Sequence, residues 1–139
     1  GAMASECKQE TISSISKWAW HSGIIFQITD DILDLSSDEK TLGKPSGNDI
    51  IEGTYTLPVL IALEKYPEKI NKILSDVSEN KVGINEVINE FNNDEIISES
   101  KLFLKTHLEK SESAAKEIDN KTVRNILLDI NTYLIERSN

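Results

Sequence analysis

Cysteine is nearly missing from this chain. Cys7 stands alone among 139 residues, which excludes an intrachain disulfide framework, and no second cysteine or nearby histidine gives it zinc-ligand spacing. That usage fits a reducing, cytoplasmic setting. Long apolar runs are absent too. None approaches the ~20 residues of a membrane span, and the N-terminus has neither a basic region nor a signal-type apolar block. A transmembrane segment is therefore not expected, although a greasy substrate could still bring the chain to a membrane surface. Basic charge is scarce: 15 Lys and Arg face 24 Asp and Glu, for a net charge of −9. The basic residues are scattered singly, which argues against nucleic acid as a partner. Only three prolines and six glycines punctuate the chain.

What is present is helical periodicity. From Thr11 to Leu35, Ile12, Ile15, Trp18, Ala19, Ile25, Ile28, Ile32 and Leu35 recur mainly at spacings of three and four, with Ile24 and Phe26 beside them. Apolar residues around most of the circumference predict a long helix inside a bundle. Residues 37–53 hold three of the six glycines and one proline, and they read as a loop too long for a mere connector. Residues 54–139 return to helix. Pro58 is accommodated near a helix start, and Pro67 ends or interrupts that helix. Further patterns run from Ile70 to Val77, Ile84 to Phe91, Asp94 to Ile118 and Thr122 to Glu136. In the fourth, Ile96, Leu102, Phe103, Leu104 and Leu108 are expected inward. In the last, Val123, Ile126, Leu127, Ile130, Tyr133 and Leu134 recur at three and four, with Asn120 or Lys121-Thr122 near the cap. The expectation is one all-α domain over residues 1–139, with no internal repeat.

The stretch "FQITDDILD", residues 26–34, places three aspartates in apolar sequence. Buried carboxylates cost several kcal/mol unless paired. On a wheel of about 100° per residue, with Asp30 at zero, Asp34 falls near ~40°, Gln27 near ~60° and Asp31 near ~100°. Like charges at that spacing repel until neutralised, and Mg²⁺ is held by one or two carboxylates plus waters and substrate phosphates. The stripe predicts a magnesium–phosphate clamp, with Lys44 of the following Gly-Lys-Pro loop able to reach an anion. A solvated helix face is the plainer reading of an isolated DDxxD string. His21 lies one turn before the acidic face, where a base is one reading and a packed or partly exposed helix residue the plainer one; His107 and Cys7 have no partners at useful spacing and read as structural or exposed.

"FQITDDILD", "GKPSGND" and "GTYTLPVLIAL", in that order, resemble the second aspartate-rich motif and following segment of the trans-isoprenyl diphosphate synthases, or polyprenyl synthetases. The motif-bearing resemblance covers roughly residues 23–63. It implies an isoprenoid-synthase helical bundle and a Mg²⁺-dependent prenyltransferase. Such an enzyme condenses an allylic diphosphate with isopentenyl diphosphate to make a trans-polyprenyl diphosphate. It further implies Asp30 as the direct metal ligand, Asp31 and Asp34 in support, and Lys44 on the allylic diphosphate. Phe26 and Gln27 would line the isoprenoid pocket, and Asp49 would organise Lys44. For Phe26 ordinary core packing is an equal alternative, as a loop cap is for Asp49.

Thr54 stands where many family members carry a second phosphate-contacting lysine. That departure, with "GKP" and "TLPVL", resembles the catalytic large subunit of two-component heptaprenyl diphosphate synthases, and implies a medium-chain product for a menaquinone side chain. The family's first aspartate-rich motif has no counterpart in residues 1–25 or 64–139. The chain thus reads as the C-terminal portion of a synthase, completed by the missing N-terminal half or another subunit, in a homo- or heterodimer. Inactivity alone is expected. A noncatalytic helical partner and a class I terpenoid cyclase are the alternatives.

Overall fold

The structure is a computed structural model that describes residues 1–3, 7–36, 47–79 and 81–136. Among these residues there are seven helices and no strand: α1 (Gln9–Ser36), α2 (Asn48–Ile51), α3 (Leu57–Lys65), α4 (Pro67–Ser78), α5 (Ile84–Phe91), α6 (Asp94–Lys116) and α7 (Lys121–Glu136). The all-α expectation holds. Within the stretch read as loop, Asn48–Ile51 forms a single helical turn. Two compact units divide the chain, Asp30–Leu102 and Gly1–Thr29 with Phe103–Asn139.

The Asp30–Leu102 unit has an apolar centre. α3 packs on α4 and α5, α4 on α5, and α2 on α4. Between them Leu35, Ile50, Val59, Ile70, Val87, Phe91 and Ile96 are buried. The prolines set the boundaries. Pro58 lies in the first turn of α3, where its missing N–H removes no helical bond. Tyr66, ahead of Pro67, is pushed out of helical geometry to φ −134°, ψ 57°, so α3 stops and α4 starts at the proline. Asn93 caps α6, its Oδ1 accepting from the Ile96 N–H at 3.0 Å. At the rim Lys65 bridges Glu95 and Glu99 at 3.2 and 2.7 Å. Hydrogen bonds to Glu99 and then Glu95 raise the Lys65 pKa to about 12.

The other unit buries Ile25, Ile28, Leu104, Ala115 and Ile118 and adds a seam of polar groups. Ser22 Oγ donates to Asn131 Oδ1 at 2.8 Å and lies 2.9 Å from Ser111 Oγ, while Asn131 Nδ2 donates to Ser111 Oγ at 2.9 Å. Asn131 is 1% exposed and Ser111 fully buried. About two turns earlier on α1, Ser14 Oγ donates to Glu117 at 2.7 Å. Asn120 caps α7, accepting from the Thr122 and Val123 N–H groups at 3.0 and 3.2 Å.

This seam corrects the periodicity reading. On α7 the buried side chain is Asn131, while Ile126, Ile130 and Tyr133 are exposed. On α6 the inward row is Ile96, Ser100, Leu104, Ser111, Ala114 and Ala115, followed just past its end by buried Ile118, and it leaves Leu102 and Phe103 outside. Three consecutive apolar residues cannot share one helix face, and only Leu104 falls in line. α1 is less enclosed than expected: Ile25, Ile28, Ile32 and Leu35 are buried, but Trp20 is 70% and Phe26 42% exposed.

Candidate functional site

Along α1, exposure falls from Gln27 through Asp30 to the last two aspartates. Gln27 is exposed and Asp30 half-buried, whereas Asp31 is 4% and Asp34 3% exposed. The three carboxylates therefore occupy different environments although the wheel puts them on one face. Ile32 and Leu35 hold α1 in the apolar core of the Asp30–Leu102 unit, which fixes the direction of the aspartates.

Asp31 has a defined structural partner. Its Oδ2 accepts from the Leu57 N–H, the first of α3, at 2.9 Å. Thr56, the residue at the N-cap position, makes no side-chain cap bond, so a carboxylate from α1 does that work. It satisfies one orphan donor and faces the positive end of the α3 dipole, an arrangement worth about 0.3–2 kcal/mol. Asp34 contributes through its backbone: its carbonyl accepts from the Gly47 N–H at 3.0 Å. Gly47 has φ +72°, and a Cβ there would lie 2.8 Å from the Ile88 side chain, so glycine is required on both counts. The Gly47 carbonyl in turn accepts from the Ile50 and Ile51 N–H groups and starts α2. Lys44 itself lies outside the described residues. Asp49 sits half-buried in the first turn of α2, and Thr54 is exposed.

The side chain of Phe26 is on the surface and does not pack into the core. Among the described residues no three His, Cys, Asp or Glu side chains converge to hold a metal ion. Mg²⁺ does not require them to: one or two hard carboxylate oxygens, completed by water and substrate phosphate, make a complete site. Half-buried Asp30 has the donor chemistry and accessibility for that role.

Sequence reading missed the Asp31 cap, the need for glycine at 47, and a histidine pair. His107 carries no sequence signal of a partner, yet its Nδ1 lies 3.0 Å from His21 Nδ1. Only Gly47 left a local signal, a glycine just ahead of a helix start. The others depend on contacts 26 and 86 residues apart in sequence.

Residues 1–92 match the family described as Polyprenyl synthetase. Across 137 residues the chain is 30% identical to Heptaprenyl diphosphate synthase component 2 of Bacillus subtilis, covering 99% of this chain and 39% of the relative. The Geobacillus stearothermophilus protein of the same name is 31% identical, with 99% and 43% covered. A short chain isoprenyl diphosphate synthase of Methanocaldococcus jannaschii is 41% identical over 90 residues, 65% of this chain and 28% of that one. The crystal structure of heptaprenyl diphosphate synthase from Staphylococcus aureus superposes with a TM-score of 0.87 at 30% identity, over 99% of this chain and 44% of that chain. The chain spans less than half the length of these relatives.

Proposed function

The chain belongs to the polyprenyl synthetase family, and from that premise we propose that it carries the second-motif half of a trans-prenyltransferase active site. The substrates would be an allylic diphosphate and isopentenyl diphosphate. The allylic C–O bond breaks, the isopentenyl double bond attacks the resulting cation to form a C–C bond, and a proton leaves. Bound Mg²⁺ would supply positive charge that stabilises the departing diphosphate. The chain's residues divide the remaining work. Asp30 offers the accessible hard oxygens, and buried Asp31 and Asp34 brace it by tying α1 to α3 and to Gly47. Lys44 donates to the diphosphate, Asp49 organises Lys44, and Phe26 and Gln27 line the isoprenoid pocket. The single observation that carries this reading is the contrast between half-buried Asp30 and its two buried neighbours.

The rest of the active site, including the first aspartate-rich motif, would come from the portion of the relatives that this chain does not span, or from a second subunit. Two relatives are named as a component 2, which supports a heteromeric assembly. Their product supports a medium-chain polyprenyl diphosphate, suited to a menaquinone side chain, in a cytoplasmic enzyme. In the intact synthase, Asp30→Ala is expected to lower turnover by orders of magnitude while circular dichroism shows unchanged helix content. Wild-type turnover in that variant would remove the assignment.

A further inference from the structure

His21 on α1 and His107 on α6 belong to one compact unit, and nothing proposed for Asp30 uses them. Their Nδ1 atoms are 3.0 Å apart, with ring centroids at 5.1 Å and planes inclined by 60°. At that distance two neutral imidazoles share one hydrogen, one Nδ1 donating and the other accepting. Burial lowers both pKa values from 6.5, Lys110 adds to the effect on each, and His21 adds to it on His107. Neutral imidazole is the form that ligates metals.

The spacing is also a chelate bite. With metal–nitrogen bonds of about 2.0–2.1 Å, nitrogens 3.0 Å apart subtend about 95° at an ion lying about 1.4 Å off the line between them. That is the cis angle of a square-planar or octahedral ion, narrower than the tetrahedral angle of structural zinc. We propose that His21 and His107 form a two-imidazole chelate for a divalent cation of the Ni²⁺ or Cu²⁺ class, strapping α1 to α6. On binding, the donor ring moves its proton from Nδ1 to Nε2 through solvent and both rings turn off the line between them so that their Nδ1 lone pairs meet at the ion; no net proton is released. Water fills the other positions, since no third ligating side chain converges among the described residues. Imidazole selects these ions over Mg²⁺, and the charge of Lys110 limits the affinity without occupying the site.

The test is calorimetric titration of the tag-free chain with Ni²⁺ at pH 7.5. One Ni²⁺ per chain is expected. Removing even the partner of a metal ligand costs about 10–100-fold in affinity, so His21→Gln and His107→Gln should each weaken binding by at least the lower figure. Asp30→Asn should leave it unchanged. No Ni²⁺ binding, binding that survives His107→Gln, or binding lost in Asp30→Asn would overturn the proposal. The wild-type chain loaded with Cu²⁺ gives a readout independent of how the variants fold. Superhyperfine splitting from two nitrogens supports the chelate, and splitting from one or none overturns it.

Discussion

The Asp30–Leu102 unit and the unit formed by Gly1–Thr29 and Phe103–Asn139 are both helical and both bury apolar side chains, but only the second adds a buried seam of hydrogen-bonded Ser and Asn side chains. The first buries isoleucines, valines and Phe91 at its centre. The second also buries Ile25, Ile28, Leu104, Ala115 and Ile118, and adds buried Ser22, Ser111 and Asn131 hydrogen-bonded to one another, while Ile126, Ile130 and Tyr133 lie outside. An apolar centre tolerates any arrangement that fills its volume, whereas a buried amide and two hydroxyls are satisfied in few registers and exact a penalty in the others. In this chain the apolar unit supplies rigidity beneath the aspartates, and the polar seam sets how α1, α6 and α7 align.

Breaking the apolar side should have the larger effect. Phe91→Ala is expected to cost about 3–5 kcal/mol, read by urea unfolding followed by circular dichroism; a loss below ~1 kcal/mol would mean that the centre is not tightly packed. On the polar side, Asn131→Ala removes the amide that bonds both Ser22 and Ser111, leaving the hydroxyls each other and the Trp18 carbonyl, and should cost about 1–3 kcal/mol. The sharper test is the triple variant Ser22→Ala, Ser111→Ala, Asn131→Leu. It removes every polar partner together and should recover part of the loss, and no recovery would show that the seam is not acting as a unit.

These contrasts also explain what was legible in the sequence. Ile25, Ile28, Ile32 and Leu35 announce the buried side of α1 because each reports its own preference through a local period. Pro58 and Pro67 mark helix boundaries because their chemistry is intrinsic. Asn131 and Ser111 carry no such signal: a serine or asparagine within a helix reads as surface until the groups that satisfy it, 20 to 109 residues distant, are known. The site divides the same way. The aspartate stripe was legible from helical spacing and the family likeness from resemblance of three sequence motifs, while the distinction between half-buried Asp30 and helix-capping Asp31 comes from α3 folding back onto α1.

That distinction predicts opposite variants. Asp31→Ala should cost about 1–2 kcal/mol through the lost cap on α3, whereas Asp30→Ala should change the urea midpoint little. Equal losses would erase the difference in role.

The smallest expected effect is on pH dependence. Burial lowers the pKa values of His21 and His107 in the folded chain below 6.5, so the unfolded chain binds more protons as pH falls past 6.5. The stability these neutral rings contribute is complete above pH 6.5 and declines as pH drops toward their folded values. Between pH 7.5 and 5.5 the wild type should lose more stability than the His21→Gln/His107→Gln variant, measured by urea unfolding at each pH. Equal losses would mean that the pair is not protected from protonation.

The most direct test of the proposed site is calorimetric titration of this chain with farnesyl diphosphate, with and without Mg²⁺. Binding that requires Mg²⁺, is abolished in Asp30→Ala and is unchanged in His107→Gln is the predicted result. A folded chain that binds no farnesyl diphosphate, or binds it equally well in Asp30→Ala, would contradict the assignment of Asp30 to a preformed diphosphate clamp.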